Sequence, residues 1–512
     1  MDEKNKKVKL NYGRTILIGF GFMGCMLLWS VYNSYVPVIL RSKLSMVFEG
    51  GGAFANFIAD NSWLGWVSVA LLVNAIMTID NIFGVIFQPF FGKRSDHTRS
   101  KLGKRMPYII VCLPICALFF CFIPVAAMVK SVGLSIILMM SVIIFFNFTM
   151  SVWRSPVVSL MPDFTPSSLQ SDANAVINIM GGIGQMIGFV VGTLAAAVVG
   201  ILGFTEMSSA LKASTNDVGQ IIDKATGEPI LDAAGNFQYI NYTPVFVVTA
   251  VASVLCLIVL ISFYVKNKKY DLSAEVGLES DGKKQEKIKI KNLPISDAEK
   301  KSLITMLAAL FFINNATEAI VPNFTNFANS TLHVAPIYST LMMAVFAVSL
   351  AAFGIPAGVM GRKLGRKKTI MIGLGVIVAM FAVYLTVSQL LPAKADGSVN
   401  TFTWVTLWVA LIVGGAAVGC VNINTLPLVL AIGGREYVGT FTGYYYTATF
   451  SAAVTGPILC GLVIGIFKED YNFMFLFCAI MFVIGLLVIS GVKHGESNEI
   501  TDEEIRQAKM DD

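Results

Sequence analysis

The chain has 512 residues, of which 55% are apolar and only 14% charged, with a formal net charge of +6 and a mean hydropathy of +0.71. Soluble domains carry about 25% charged residues, so this composition excludes a water-soluble enzyme or binding module and points to a polytopic membrane protein. The apolar runs are long and continuous rather than short and alternating, which excludes a β-barrel and makes the chain all-α.

A basic N-terminal tail, 1–13, holds Lys4, Lys6, Lys7 and Lys9. Windows of about 20 apolar residues then predict spans at 14–40, 64–91, 107–129, 132–160, 172–202 and 243–265. The first run is longer than a signal core, contains Trp29, Tyr32, Asn33 and Tyr35, and lacks a small-residue cleavage pattern, so it reads as a permanent helix. A charged linker, 266–301, interrupts the chain near its midpoint, with Lys266, Lys268 and Lys269 at its start. Its lysines suit either a solvated connection or a short helix on anionic lipid. Six further spans follow at 302–328, 336–360, 369–391, 403–432, 438–467 and 471–492, before a tail at 493–512. The expected organisation is two six-helix bundles, 14–265 and 302–492, joined by the linker. Lys and Arg crowd the N-terminal tail, the loop at 92–106, the linker and the loop at 361–368, while 203–242 is mainly acidic. The positive-inside rule therefore puts both tails and the linker in the cytoplasm of a multi-pass protein of the cell membrane. All eight cysteines fall in predicted spans, so no disulfide framework is expected.

The halves echo one another. Gly92-Lys93-Arg94-Ser95-Asp96 and Gly103-Lys104-Arg105 follow the second span, and Gly358, Gly361-Arg362-Lys363-Leu364-Gly365-Arg366-Lys367-Lys368 follow the eighth. Gly103 and Gly365 stand 262 residues apart, about half the chain. Such spacing signals two six-helix repeats. Glycine permits a tight inter-helix turn and arginine can hold helix ends by charge-assisted bonds. Gly92, Asp96, Arg105, Asp163, Gly358, Arg362, Gly365 and Arg366 are thus expected to brace a cytoplasmic gate.

The paired loops resemble the signature of the major facilitator superfamily, over the whole chain. Asp80-Asn81, Gln88-Pro89, Gly92, Ser95-Asp96, Gly103-Lys104-Arg105-Met106-Pro107, Arg154-Ser155-Pro156, Met161-Pro162-Asp163, Ala173-Asn174-Ala175 and Asn315-Ala316-Thr317-Glu318 carry a narrower likeness. They look like the glycoside–pentoside–hexuronide:cation symporters, and closer still the sucrose-transporter group. That resemblance implies proton-coupled uptake of a sugar, typically a disaccharide such as sucrose or maltose. The chain departs from it in the fourth span, where Asn147 stands at the position of an aspartate in plant sucrose carriers. The ion must then be carried elsewhere.

Polar residues fall in helical register within the spans. A sugar needs convergent amides, hydroxyls and aromatic faces, and Asn81, Asn147, Asn174, Asn178, Gln185, Asn314, Asn315, Asn422, Asn424 and Tyr445 are the candidates. Each could equally tie helices together. Tyr32, Asn33 and Tyr35 could join the set, and Trp29 or Trp153 could stack on a ring or pack. Three ionisable side chains, Asp80, Arg154 and Glu318, lie where a charge costs several kcal/mol. Desolvation favours a protonated carboxyl and a nearby arginine an ionised one, so an acid that meets Arg154 in one state only would take up and release a proton. A permanent ion pair is the alternative.

Gly181-Gly182 lies inside a span without a phosphate-loop lysine, and His97, His333 and His494 lack ligand spacing. Neither an enzyme nor a cofactor or metal is expected. The expected partners are a small sugar, a coupling cation (H⁺ over Na⁺) and the bilayer, not nucleic acid, and a monomer suffices. Competing readings are a Na⁺-coupled glycoside carrier, an exporter of drugs or other small solutes, and a non-transporting scaffold.

Overall fold

A computed structural model describes residues 10–50, 53–61, 66–165, 169–223, 226–232, 235–270, 290, 293, 295–391, 399–433 and 438–494. Most of the linker and the outer parts of both tails lie outside the described residues. Spans one to six are α1 (Tyr12–Glu49), the pair α3 (Val69–Met77) and α4 (Ile79–Asp96), α5 (Met106–Ala127), α6 (Val132–Phe164), α7 (Gln170–Ile201) and α9 (Thr243–Asn267). Short helices α2 (Ala53–Asp60) and α8 (Thr205–Leu211) lie between them. Spans seven to twelve are α10 (Asp297–Leu332), the pair α11 (Pro336–Ala352) and α12 (Gly354–Leu364), α13 (Arg366–Leu390), α14 (Thr401–Gly433), α15 (Val438–Ile466) and α16 (Phe473–Ser490). Among the described residues eleven helices are long and apolar enough to cross a membrane, and α11 with α12, bent by 43°, makes a twelfth.

Local chemistry starts these helices. Asn11 accepts the Arg14 N–H at 3.1 Å at the head of α1, and Ser68 accepts the Leu71 N–H at 3.1 Å at the head of α3. At α10, Ser296 and Glu299 form a reciprocal capping box, the Ser296 N–H reaching Glu299 Oε2 at 2.8 Å while Ser296 Oγ accepts the Glu299 N–H at 3.3 Å. The second span is interrupted at Thr78, whose hydroxyl donates back to the Asn74 carbonyl at 2.9 Å. Such back-bonding bends helices.

The chain separates into two compact units, Met1–Gln285 with Phe324–Leu341, and Glu286–Asn323 with Met342–Asp512. The division thus departs from a cut at the linker alone: the end of the seventh span and the start of the eighth belong with the first six. In the first unit α1 is buried on nearly every side, including Leu28, Val31, Tyr32 and Tyr35. Its closest neighbour is α7, which presents glycines four residues apart. A Cβ at Gly184 would overlap the Met23 carbonyl and one at Gly188 the Ser30 hydroxyl. Small residues at this spacing let two membrane helices touch backbone to backbone. Around α1, Tyr32 stacks on Phe146 at 5.0 Å and Phe120 meets Phe246 at 4.5 Å. Trp153 is fully buried in this core, so it packs and presents no ring face to a ligand.

The acidic segment between spans five and six folds. Strand β1 (Ser214–Thr215) pairs antiparallel with β2 (Ile221–Ile222), and bridges Gln220–Tyr239, Ile222–Pro229 and Leu231–Phe237 extend the hairpin. Arg41 pairs with Asp217 at 2.9 Å and Ser42 Oγ donates to the Val218 carbonyl at 2.8 Å, fixing the hairpin to α1. On its other side Ser214 Oγ donates to the His333 carbonyl at 2.7 Å, and Thr215 and Asn329 share hydrogen bonds at 3.0 and 3.2 Å. These bonds tie Phe324–Leu341 into the first unit.

In the second unit α13 and α14 pack closely, with Gly373 against the Ala417 carbonyl. The Tyr384 ring lies 4.8 Å from Phe475, and its hydroxyl donates to Asn472 Oδ1 at 3.3 Å. All eight cysteines are free thiols.

Overpacking a tight helix contact costs about 1–3 kcal/mol. Gly184→Val should therefore lower the thermal unfolding midpoint of the detergent-solubilised protein, whereas Gly182→Ala, with open space around it, should leave it unchanged or slightly raised.

Candidate functional site

Two polar constructions stand out in the first unit. The first lies at the end where α4 turns into α5. Arg105, at 8% exposure, donates from Nε to Asp163 Oδ2 at 2.9 Å, pairs with Asp96, and reaches Ser95 Oγ and the Gly92 carbonyl. Burial alone would lower the Arg105 pKa, but the bonds and charges of Asp163 and Asp96 outweigh it and raise the value, so the guanidinium stays charged. Gly92 is required because a Cβ there would come within 2.6 Å of Ser155 Oγ. The α4–α5 turn is thereby clamped to the end of α6.

The matching turn of the second unit is built differently. Gly365 has φ of +91°, and Arg366 donates to the Pro427 carbonyl at 2.9 Å. Lys367 Nζ donates to the Ser490 and Val492 carbonyls at 2.8 and 2.6 Å. Backbone oxygens replace the two carboxylates. Gly358 is half-buried, and Arg362 is exposed and makes no ion pair among the described residues.

The second construction is a buried cluster near the middle of the first unit. Asp80, at 5% exposure, sits in the first turn after the Thr78 interruption, where its carboxylate accepts the Asn81 N–H. The carboxylate also lies within electrostatic reach of the Tyr32 hydroxyl. That hydroxyl accepts a bond from Asn147 Nδ2 at 3.1 Å, and Asn147 Oδ1 is buried without a hydrogen-bond partner. Trp29 stands 6.4 Å from Tyr32, and its ring carries the Arg154 guanidinium at 4.7 Å, a cation–π contact. Among the described residues Arg154 makes no ion pair. An acid, a hydroxyl, an amide, an indole and a guanidinium thus converge from α1, α4 and α6.

The remaining candidates divide. Asn81 and Gln185 are half-buried, and Asn174 and Asn178 lie on the exposed flank of α7, where Asn178 Nδ2 donates to the Asn174 carbonyl at 2.8 Å. In the second unit Glu318 and Asn422 are exposed, Asn314 is half-buried, and the Tyr445 hydroxyl meets Thr425 Oγ1 at 3.5 Å. Two of the candidates are engaged between helices. Asn315 is fully buried, donates to the Phe311 carbonyl at 2.7 Å and accepts Thr455 Oγ1 at 2.9 Å, so it ties α10 to α15. Asn424 donates to the Ala357 and Cys420 carbonyls at 3.2 and 2.9 Å, with Oδ1 against Gly361, so it ties α14 to α12. Both side chains thus spend hydrogen bonds on joining helices.

A model of the Major Facilitator Superfamily matches residues 18–328 and 306–509. The chain belongs to the major facilitator superfamily. It is a multi-pass membrane transporter. No curated protein matches its sequence. Similar solved structures include a bacterial homolog of the human lysosomal transporter Spinster, with TM-score 0.56 and 11% identity over 94% of this chain and 97% of that one. The nucleoside transporter NupG gives TM-score 0.55 and 14% identity, covering 94% and 99%. The peptide transporter POT in complex with sulfate gives 0.54 and 11%, covering 93% and 94%. At such identities the likeness is one of fold, and it extends to a nucleoside transporter and a peptide transporter alike.

Removing one partner of a buried pair leaves an uncompensated charge and costs about 3–5 kcal/mol, while losing one hydrogen bond to a carbonyl costs about 1 kcal/mol. Arg105→Gln should therefore lower the unfolding midpoint markedly more than Arg366→Gln. Adding Asp163→Asn to Arg105→Gln should restore part of the loss, as read in the same thermal scan.

Proposed function

We propose that the protein is a secondary active sugar transporter of the cell membrane, taking up a disaccharide of the sucrose or maltose type with a proton by alternating access, with both termini cytoplasmic. The observation that carries this reading is the cluster of Asp80, Tyr32, Asn147, Trp29 and Arg154, an acid and a base in one membrane bundle beside groups suited to hydroxyl recognition. Sugar hydroxyls pair with amides and carboxylates, and pyranose faces pack on indole. The sequence likeness to the sucrose-transporter group supports the same substrate class. Asp80 is the proposed ion carrier in the first unit and Glu318 in the second, with Asn81, Asn174, Asn178, Gln185, Asn314, Asn422 and Tyr445 as further polar contacts. H⁺ is favoured over Na⁺. The chain is proposed to work as a monomer.

Alternating access also assigns work to the hairpin. Thr215–Asn329, Ser214–His333 and the Tyr35–Thr340 hydroxyl contact at 3.4 Å would hold one end of the path shut and would break when it opens. A second reading rests on Arg154, whose guanidinium is held by a ring rather than a carboxylate. A sugar acid, with its carboxylate on Arg154, fits that arrangement.

Uptake into proteoliposomes with a panel of neutral sugars and one uronic acid, under an imposed pH or Na⁺ gradient, tests both readings. One proton moved through 100 mV is worth about 2.3 kcal/mol, roughly a fifty-fold accumulation of a neutral sugar. Asp80→Asn or Glu318→Gln should reduce accumulation to parity while leaving exchange of labelled sugar in part. Full accumulation in both variants would exclude these acids as carriers. Absence of any saccharide uptake would exclude the sugar reading.

A further inference from the structure

At the hairpin end of the first unit, opposite the Arg105 brace, lies a cavity of about 520 Å³ that the transport reading does not use. Its walls come from the last turns of α1, the α5–α6 junction, the hairpin and the segment leading into α9. This volume falls in the range of small-molecule sites, about 300–1,000 Å³. Among its described lining residues the charged ones are Lys43 and Lys130, and no carboxylate joins them.

The two lysines are not spent on the fold. Lys43 is half-buried, with its ammonium 5.7 Å from the centre of the Tyr239 ring, and Lys130 is exposed at the mouth. Among the described residues neither makes an ion pair, whereas Arg41, two residues before Lys43 on the same helix, pairs with Asp217. Asn241 spends its side-chain oxygen on the Thr243 N–H at 2.9 Å, leaving its amide nitrogen as a donor. The lining therefore offers amine and amide donors together with apolar Met46, Pro124, Met128 and Val132.

We propose that this cavity binds an amphipathic organic anion, its carboxylate or phosphate held between Lys43 and Lys130 and its apolar body against Met46, Pro124 and Met128. A half-buried ammonium without a counter-ion gains from an incoming anion far more than an exposed one does. The same chemistry is offered by the phosphate headgroup of an anionic lipid and by a soluble carboxylate. Thr215 lines the cavity and also bonds Asn329. An occupant therefore touches the hairpin that holds Phe324–Leu341, and its binding stiffens that contact. The proposal does not depend on the identity of the transported solute.

The test uses the full chain purified in a neutral detergent. Two arms separate the sources: equilibrium binding of labelled decanoate against decanol, and native mass spectrometry of retained phosphatidylglycerol against phosphatidylcholine. Saturable binding of one anionic probe, weakened about ten-fold or more in Lys43→Gln/Lys130→Gln, supports the site, and the arm that responds names the source. Lys130→Gln alone, at an exposed position, gives a partial loss if the double variant elutes abnormally. Equal binding of the neutral and anionic probes, or anion binding unchanged in the variants, overturns the proposal.

Discussion

The close approach of α7 to α1 governs the first unit. Because Gly184 and Gly188 let the two backbones touch, α1 sits inside the bundle instead of at its edge, and almost every turn of it meets another helix. A helix so enclosed can carry polar groups at any depth without exposing them to lipid, where each unsatisfied one would cost several kcal/mol. The sequence of α1 exploits this. Trp29 and Tyr32 face the buried cluster, Tyr35 reaches Thr340, and Arg41 and Ser42 hold the hairpin. One helix thus joins the polar cluster to the hairpin contacts at its end, so a shift of α1 cannot move one without the other.

The two turn braces follow a second logic. Both rest on a glycine-basic turn repeated 262 residues apart, yet Arg105 is countered by Asp163 and Asp96 while Arg366 and Lys367 are countered by carbonyls. A carboxylate pair is stronger and less tolerant of displacement than a bond to a helix-end carbonyl, which any turn of backbone can supply. The second turn is therefore the softer of the two. The bend of 43° between α11 and α12 falls in the span that leads into it.

Much of this architecture was legible in the residues. Hydropathy is a property of long windows, so all twelve spans could be read, and a basic turn repeated at half-chain distance identified the superfamily. Helix ends were less legible. α1 runs on to Glu49 through Arg41 and Ser42 because the hairpin satisfies those groups, and hydropathy cannot count partners that arrive from elsewhere in the chain. The hairpin itself escaped notice because two-residue strands leave no periodic signal. For the polar residues, spacing gave the face of a helix but not what that face meets. Asn147 and Asn424 are equally buried asparagines, and only the fold separates one bonded to a tyrosine hydroxyl from one locked against a glycine.

The distinction matters most for the charges. A permanent Asp80–Arg154 lock would account for both residues without any transport role, because a membrane pays less for a pair than for two single ions. The structure has Arg154 on the face of Trp29 and Asp80 within electrostatic reach of Tyr32. In the proposed cycle the ring contact of Arg154 takes the place of such a lock. A guanidinium on an indole is held by about 1–2 kcal/mol when desolvated, less than a carboxylate partner would offer it, so the contact can be exchanged at modest cost. In the proposed cycle that is the required property: Arg154 leaves the ring when an anion, whether a substrate carboxylate or Asp80 itself, comes within reach. The ring is then released as a flat apolar face, the surface on which a sugar packs. In that proposed cycle, coupling of ion to sugar would run through this one exchange.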